Sequence, residues 1–252
     1  VGQTSSYGES VGSDDVFDSV WLVKMDSQAN IEWSKTFSGN GNEWGDDVKQ
    51  STDGGYIISG GGIYWVGGSQ QWEWYSMLIK TDGQGNLDWK KEYAQRSAVL
   101  TSVVEDDFGN FVAAGRAGGE GGNGIVKKVN SEGSLEWELE FGSNESDGFR
   151  SINKTVDGSF ILGGYFGSPW NGIGAQPWLL KINSNGTEEW QYQYGSHNGF
   201  YAKQTNDGGY ILSGNCIDCE GNNAKIIKTD SYGMPIWNRI HNTNTFKFID
   251  QV

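Results

Sequence analysis

One stretch of the chain is said five times. "WLVKMDSQANIEW" (Trp21–Trp33) returns as "MLIKTDGQGNLDW", "IVKKVNSEGSLEW", "WLLKINSNGTEEW" and "IIKTDSYGMPIW". The copies end on Trp33, Trp89, Trp137, Trp190 and Trp237, at intervals of 56, 48, 53 and 47 residues. A period near 50 residues belongs to arrays of one repeated supersecondary unit, such as propeller blades. Within each copy an apolar pair meets a Lys and then Asp or Asn. A short turn follows, with Gly at Gly85, Gly133, Gly186 and Gly233 and Ala29 in the first copy. Gly there suits a hairpin position of positive φ. The next run alternates in "IEWSKTF", "LDWKKEY", "LEWELEF" and "EEWQYQY". Alternation puts the Trp and the ring four residues on upon one face of a strand.

A second hairpin follows in each copy, as in "DDVKQSTDGGYIISGGG" and "YAKQTNDGGYILSGNC". Asp-Gly and Gly-Gly between β-rich runs mark tight hairpins. The run after that turn ("YIISG", "FVAAG", "FILGG", "YILSG") is apolar on both faces, which suits a strand buried between sheets. Each repeat thus supplies four antiparallel strands: a (Val48–Thr52 in the second copy), b (Tyr56–Gly60), c (Ser76–Thr81) and d (Leu87–Tyr93). No segment carries a helical period. The expected fold is all-β: a single β-propeller domain over residues 1–252, with five blades of four strands. Val1-Gly2 reads as the end of a strand b, and "FKFIDQV" as a strand a. One blade would then be built from both termini. A piece of a longer array is the alternative.

The pattern D-G-G-Y-I-x-x-G … W-L-x-K-x-D-x-x-G-x-x-x-W resembles the Gly/Trp-rich propeller-like repeats of secreted or surface proteins of bacteria and archaea. The resemblance covers nearly the whole chain and concerns architecture; it implies no catalytic residues. Five-bladed rings of the tachylectin-2 type, which bind amino sugars between Trp-bearing blades, are analogous in fold, and fold alone does not give function.

Composition narrows the partners. A formal net charge of -14 opposes a nucleic acid or an anionic membrane surface, and no apolar run reaches the ~18 residues of a membrane span. Three N-x-S/T sequons (Asn144, Asn153, Asn185) agree with an extracellular or cell-surface glycoprotein. The two cysteines, Cys216 and Cys219, lack the further ligands of a structural zinc site.

Function is expected on the b–c and d–a connections, which vary between copies. Residues 3–19, 61–75 and 164–178 read as long loops on one face. The second concentrates Tyr64, Trp65, Trp72 and Trp74; Trp170 lies in the third, and Trp44 in a nearby d–a connection. Aromatic rings beside amides and carboxylates are what a sugar needs: its apolar face stacks and its hydroxyls pair. The same rings could instead cover blade ends.

The first reading is therefore a non-catalytic, lectin-like module that binds a glycan through Tyr64, Trp65, Trp72, Trp74, Trp170 and Trp44, without cofactor. The second is an adhesive surface protein that self-assembles or takes a protein partner. The third is a glycosidase using Asp47 and Asp250, which share a face of strand a by register. "GSDDVFD" (Gly12–Asp18) offers the oxygen donors calcium wants, without EF-hand spacing.

Overall fold

The computed structural model describes residues 1–4, 18–39, 41–67, 71–93, 98–118, 121–143, 145–167, 175–195, 200–216 and 223–241. These contain strands only, and the protein is an all-β chain of the propeller class. The strands form five antiparallel sheets. The first joins β1 (Gly2–Thr4), β2 (Ser19–Met25) and β3 (Ile31–Phe37). The second joins β4 (Asn42–Gln50), β5 (Tyr56–Val66), β6 (Gln71–Thr81) and β7 (Leu87–Tyr93) in sequence order. The third runs β8 (Ala98–Glu105), β9 (Phe111–Ala117), β10 (Gly124–Val129) and β11 (Leu135–Phe141). The fourth contains β12 (Gly148–Lys154), β13 (Phe160–Phe166), β14 (Gln176–Ile182) and β15 (Glu188–Gln193). The fifth contains β16 (Phe200–Gln204), β17 (Tyr210–Cys216), β18 (Asn223–Thr229) and β19 (Pro235–His241). Strands a to d of the repeat are thus four neighbours of one sheet. The first sheet shows b, c and d; its expected strand a, in the last seven residues, lies outside the described residues.

The chain forms two compact units, Val1–Ala113 with Lys128–Glu136, and Ala114–Lys127 with Trp137–Val252. Inside the first, Val20, Leu22 and Phe37 of the first sheet pack on Ile58, Tyr75, Met77 and Ile79 of the second. Inside the other, Ile161 and Leu179 pack on Phe200, Ala202, Tyr210, Leu212 and Ile227. Each such aliphatic side chain, fully buried, contributes about 1.5–3 kcal/mol. Strand b is buried on both faces, as its apolar run requires: Ile57 and Ile58 are both inaccessible.

The repeated Trp and the repeated Gly are one device. Trp33 meets Tyr56 edge-on at 5.6 Å, Trp89 meets Phe111 at 6.1 Å and Trp190 meets Tyr210 at 5.5 Å. The same rings lie on the c–d turn of the next sheet. A Cβ on Gly85 would stand 2.7 Å from the Trp33 ring, and one on Gly133 would stand 3.0 Å from Trp89. Gly85 also has a φ of 76°. The turn residue is glycine for both backbone and packing reasons. Ala29 holds the same conformation, at φ 64°, with a side chain. A non-Gly residue there costs about 1 kcal/mol. Ala29→Gly is expected to stabilise the fold by roughly 0.5–1 kcal/mol, read as a higher urea midpoint at unchanged m-value.

The Lys of the repeat, which the spacing left without a role, is a clamp. Lys80 reaches Asp53 of the a–b turn at 2.7 Å and Asp88 of strand d at 3.5 Å. Lys181 bridges Asp157 and Glu189 at 2.6 and 2.9 Å, and Lys128 binds Asp106 at 2.9 Å. Lys228 holds Asp207 at 3.0 Å. Each therefore ties the first turn of its sheet across the strands. The Lys80 ammonium, with the Ser51 hydroxyl and the Gly55 amide, holds Asp53 at about 2. Thr205, Lys228 and the Gly209 amide hold Asp207 at about 2 as well. Burial alone would raise Asp157, yet Lys181 and Thr155 keep it well below the usual range. Carboxylates depressed in the folded state lend stability that is complete above their unfolded value, 3.8. That stability is lost as pH falls from there through the folded value. Urea midpoints are thus expected to hold down to about pH 4–5 and then to fall steadily towards pH 2.

Candidate functional site: an indole face on an extended hairpin

Residues 61–66 and 71–75 form strands, where the sequence suggested a loop; 68–70 lie outside the described residues. Strands β5 and β6 continue through the two stretches as an antiparallel ladder that pairs Gly61 with Ser76, Ile63 with Trp74, Tyr64 with Glu73 and Trp65 with Trp72. The glycines that suggested a loop serve close approach. A Cβ on Gly61 would sit 3.0 Å from the Tyr75 carbonyl and 3.3 Å from Val99, and Gly62 lies against the Tyr75 ring. Strand β4 begins at Asn42, earlier than Val48, and pairs Trp44 with Gly61.

Register sorts the expected residues. Residues directly opposite in an antiparallel pair share a face, and neighbours in a strand alternate. Trp44, Ile63, Trp65, Trp72 and Trp74 therefore line one face. Trp44 meets Trp74 edge-on at 5.6 Å, and Trp65 meets Trp72 at 5.3 Å. Trp65, Trp72 and Trp74 are nevertheless 51%, 52% and 41% exposed. They can afford this because the hairpin runs past the point where Val99 of β8 covers the face. A β-bulge between Gly45 and Asp47 inserts Asp46, whose carboxylate accepts the Trp44 Nε1–H at 3.1 Å. The bulge turns Asp46 out of register, and its hydrogen bond fixes the tilt of the Trp44 ring. Asn42 stands on the same face opposite Ile63; its side-chain oxygen accepts the Asp18 amide at 3.0 Å.

Tyr64 belongs to the other face. Its ring lies 5.6 Å from Tyr75 and its hydroxyl donates to Glu73 at 3.0 Å. Behind it sits a buried polar knot. The Tyr75 hydroxyl donates to Glu43 Oε1 at 2.6 Å, and Lys90 Nζ reaches both oxygens of Glu43 at 2.6 Å. Glu43 is fully buried. Burial, followed by the hydrogen bond to Glu43, pushes the Tyr75 phenol far above its ordinary value. This knot anchors the hairpin from behind, while the four indoles face out. Trp170 lies outside the described residues.

Of the acidic candidates, Asp47 is occupied. Asp47 accepts the Ser102 hydroxyl at 2.9 Å and the Val103 amide at 3.2 Å, and pairs with Lys49 at 3.1 Å. It fastens β4 to β8 and is not a free acid or nucleophile. Ser151, in the same register of the repeat, performs the equivalent task by accepting the Ala202 amide at 2.9 Å. Glu105 accepts from the amide and hydroxyl of Thr52, both at 2.7 Å. Asp250 and the Gly12–Phe17 part of the calcium candidate lie outside the described residues, as does Cys219. No group of three metal-ligating side chains occurs among the described residues. The third long loop is also shorter than expected: Tyr165 and Phe166 belong to β13, and Gln176 to Trp178 to β14. Of the sequons, Asn185 is exposed at the tip of the β14–β15 turn. Asn153 donates its side-chain amide to the Ala202 carbonyl at 2.8 Å.

No protein-family model matches the sequence, and no curated protein matches it. Solved structures match in fold. A subtype N10 neuraminidase-like protein of A/little yellow-shouldered bat/Guatemala superposes with a TM-score of 0.53 at 11% identity, over 90% of this chain and 74% of that one. A eukaryotic initiation factor gives 0.46 at 11%, over 91% of this chain, which spans 50% of that structure. The Neurospora crassa Pan2 WD40 domain gives 0.45 at 9%, over 76% and 65%. At these identities the likeness is one of fold, and the fold is that of the β-propellers.

Proposed function

We propose that the protein is a secreted or cell-surface binding module that takes a glycan on the indole face of the β5–β6 hairpin. One observation carries the reading. Four tryptophans, Trp44, Trp65, Trp72 and Trp74, share one face, and three of them stay about half exposed on a rigid ladder. A contiguous exposed aromatic patch marks an interface. Flat, apolar rings flanked by Asp46 and Asn42 suit a pyranose better than a protein helix, because sugar hydroxyls need such acceptors and donors. Trp72 and Trp74 lie two residues apart on one strand, so their Cα atoms are about 7 Å apart. That spacing suits two successive sugar rings of one chain laid along the hairpin. The resemblance to Gly/Trp-rich repeats of surface proteins and the exposed Asn185 sequon support the extracellular setting.

A glycan array followed by calorimetry tests this. Trp72→Ala and Trp74→Ala are each expected to weaken binding by about 30-fold, the cost of losing a central aromatic anchor. Tyr64→Phe, on the opposite face, is expected to leave it unchanged. An array without a hit, or affinity unmoved by both Trp variants, would sink the reading. Light scattering supplies the alternative outcome: a large particle that Trp72→Ala reduces to single chains would make the same face a subunit contact.

A further inference from the structure

A second site stands apart from the indole face, in the other compact unit. Where β12 and β16 run out into their a–b turns, a cleft of about 600 Å³ opens. Asn153, Lys154, Lys203, Gln204, Thr205 and Asn206 contribute to its wall. The volume falls within the ~300–1,000 Å³ of ligand sites, and the lining is cationic in a chain of net charge -14.

The same seam exists between β4 and β8, with different chemistry. Counting back from the equivalent turns, Val104 and Glu105 stand where Lys203 and Gln204 stand, and Gln50 where Lys154 stands. There Glu105 closes the seam by binding Thr52 with both oxygens. Here the neutral Gln204 makes the corresponding bond, accepting the Val156 amide at 2.9 Å. The acid is gone, and Lys154 and Lys203 stand where the other seam has Gln50 and Val104; that seam carries one lysine, Lys49, where Asn153 stands here. The turn carboxylates nearby are engaged by other lysines: Asp157 by Lys181 at 2.6 Å and Asp207 by Lys228 at 3.0 Å. Lys203 and Asn206 are exposed, and Lys203 has no carboxylate in ion-pair reach among the described residues. A lysine left unpaired beside amides, within a walled cleft, is equipped for an anion that also carries hydroxyls.

We infer that this cleft binds an acidic sugar. Its carboxylate pairs with Lys203, and its hydroxyls reach the Asn206 amide and the Thr205 oxygen. The charge-assisted bond to Lys203 supplies the discrimination against neutral sugars. The site does not depend on the indole face, so either can fail without the other.

Titration of the full chain with D-glucuronate, followed by amide NMR, tests the inference, with D-glucose and sulfate as comparators. Saturable shifts are expected at Lys203, Gln204 and Asn206 with glucuronate and not with glucose. Lys203→Gln is expected to weaken binding about tenfold, Lys203→Arg to retain it, and Trp72→Ala to leave it unchanged. Added salt should weaken it, since the pair is open to solvent. Absence of saturable shifts, equal response to glucose, or full affinity in Lys203→Gln would overturn the site. Sulfate binding as tightly as glucuronate would overturn its assignment to a sugar.

Discussion

Glu43→Ala is expected to cost about 3–5 kcal/mol of stability, the loss that follows when one partner of a buried ion pair is removed. Glu43 is the meeting point of three elements: β4, which carries it, β6, which brings the Tyr75 hydroxyl, and β7, which brings Lys90. Its removal leaves Lys90, whose side chain is only 13% exposed, with the Ser38 carbonyl at 3.2 Å and the more distant Glu92 at 3.8 Å, and leaves the Tyr75 hydroxyl without its acceptor. Glu43→Gln separates the two contributions. The amide oxygen still accepts from Tyr75, but the charge facing Lys90 is gone, so the loss should be smaller than for Ala. Urea unfolding followed by Trp fluorescence measures both. Because the knot backs the hairpin that carries Trp65, Trp72 and Trp74, Glu43→Ala should also loosen the indole face, seen as faster amide exchange in 61–76. Equal stability of Glu43→Ala and the unaltered chain would show that the knot is not a structural anchor.

Trp178→Ala should be comparably severe, at about 3–5 kcal/mol. The indole is inaccessible to solvent. It stacks on Phe149 at 4.5 Å and 25°, meets Phe166 edge-on at 5.4 Å, and donates its Nε1–H to Gln191 at 2.9 Å. Alanine would leave a large void beside Phe149 and Phe166 and orphan the Gln191 oxygen. Trp178→Phe keeps most of the volume and should lose less than half as much. The contrast with Trp21, in the same place of the first repeat, is instructive: Trp21 is 39% exposed and bonds Ser34 at 2.7 Å.

That contrast bears on how far the sequence could be read. The strand order, the c–d turns and the packing role of Trp33, Trp89, Trp137 and Trp190 were legible, because each repeats a local pattern whose physics is local. In the c–d turns, for example, Asp82 takes the amides of Gln84 and Asn86, and Asn183 takes those of Asn185 and Thr187. Burial of one Trp against exposure of its counterpart was not legible, since it depends on what the sheet faces. The strands at 61–66 and 71–75 escape a sequence reading for a different reason. Their glycines read as loop residues, although Ile63, Trp65, Trp72 and Trp74 alternate with Tyr64 and Glu73 at the period of a strand. The bond of Glu43 to Lys90, 47 residues on, has no local signal at all. Nor does the clasp of Asp47 on β8, which converts a candidate catalytic acid into a fastener.

The lysine clamp has a consequence for how such a chain can change over generations. Lys80, Lys128, Lys181 and Lys228 each find their acidic partners inside their own sheet. A duplicated segment of DNA therefore inherits a working lock along with its strands, whatever copy it lands beside. The rim is not under that lock: among the described residues the β5–β6 ladder outgrows its counterpart in every other sheet, while Lys80 holds the base of the same hairpin unchanged. New recognition surfaces can arise by lengthening one arm of one copy, with the framework left as an inherited constant.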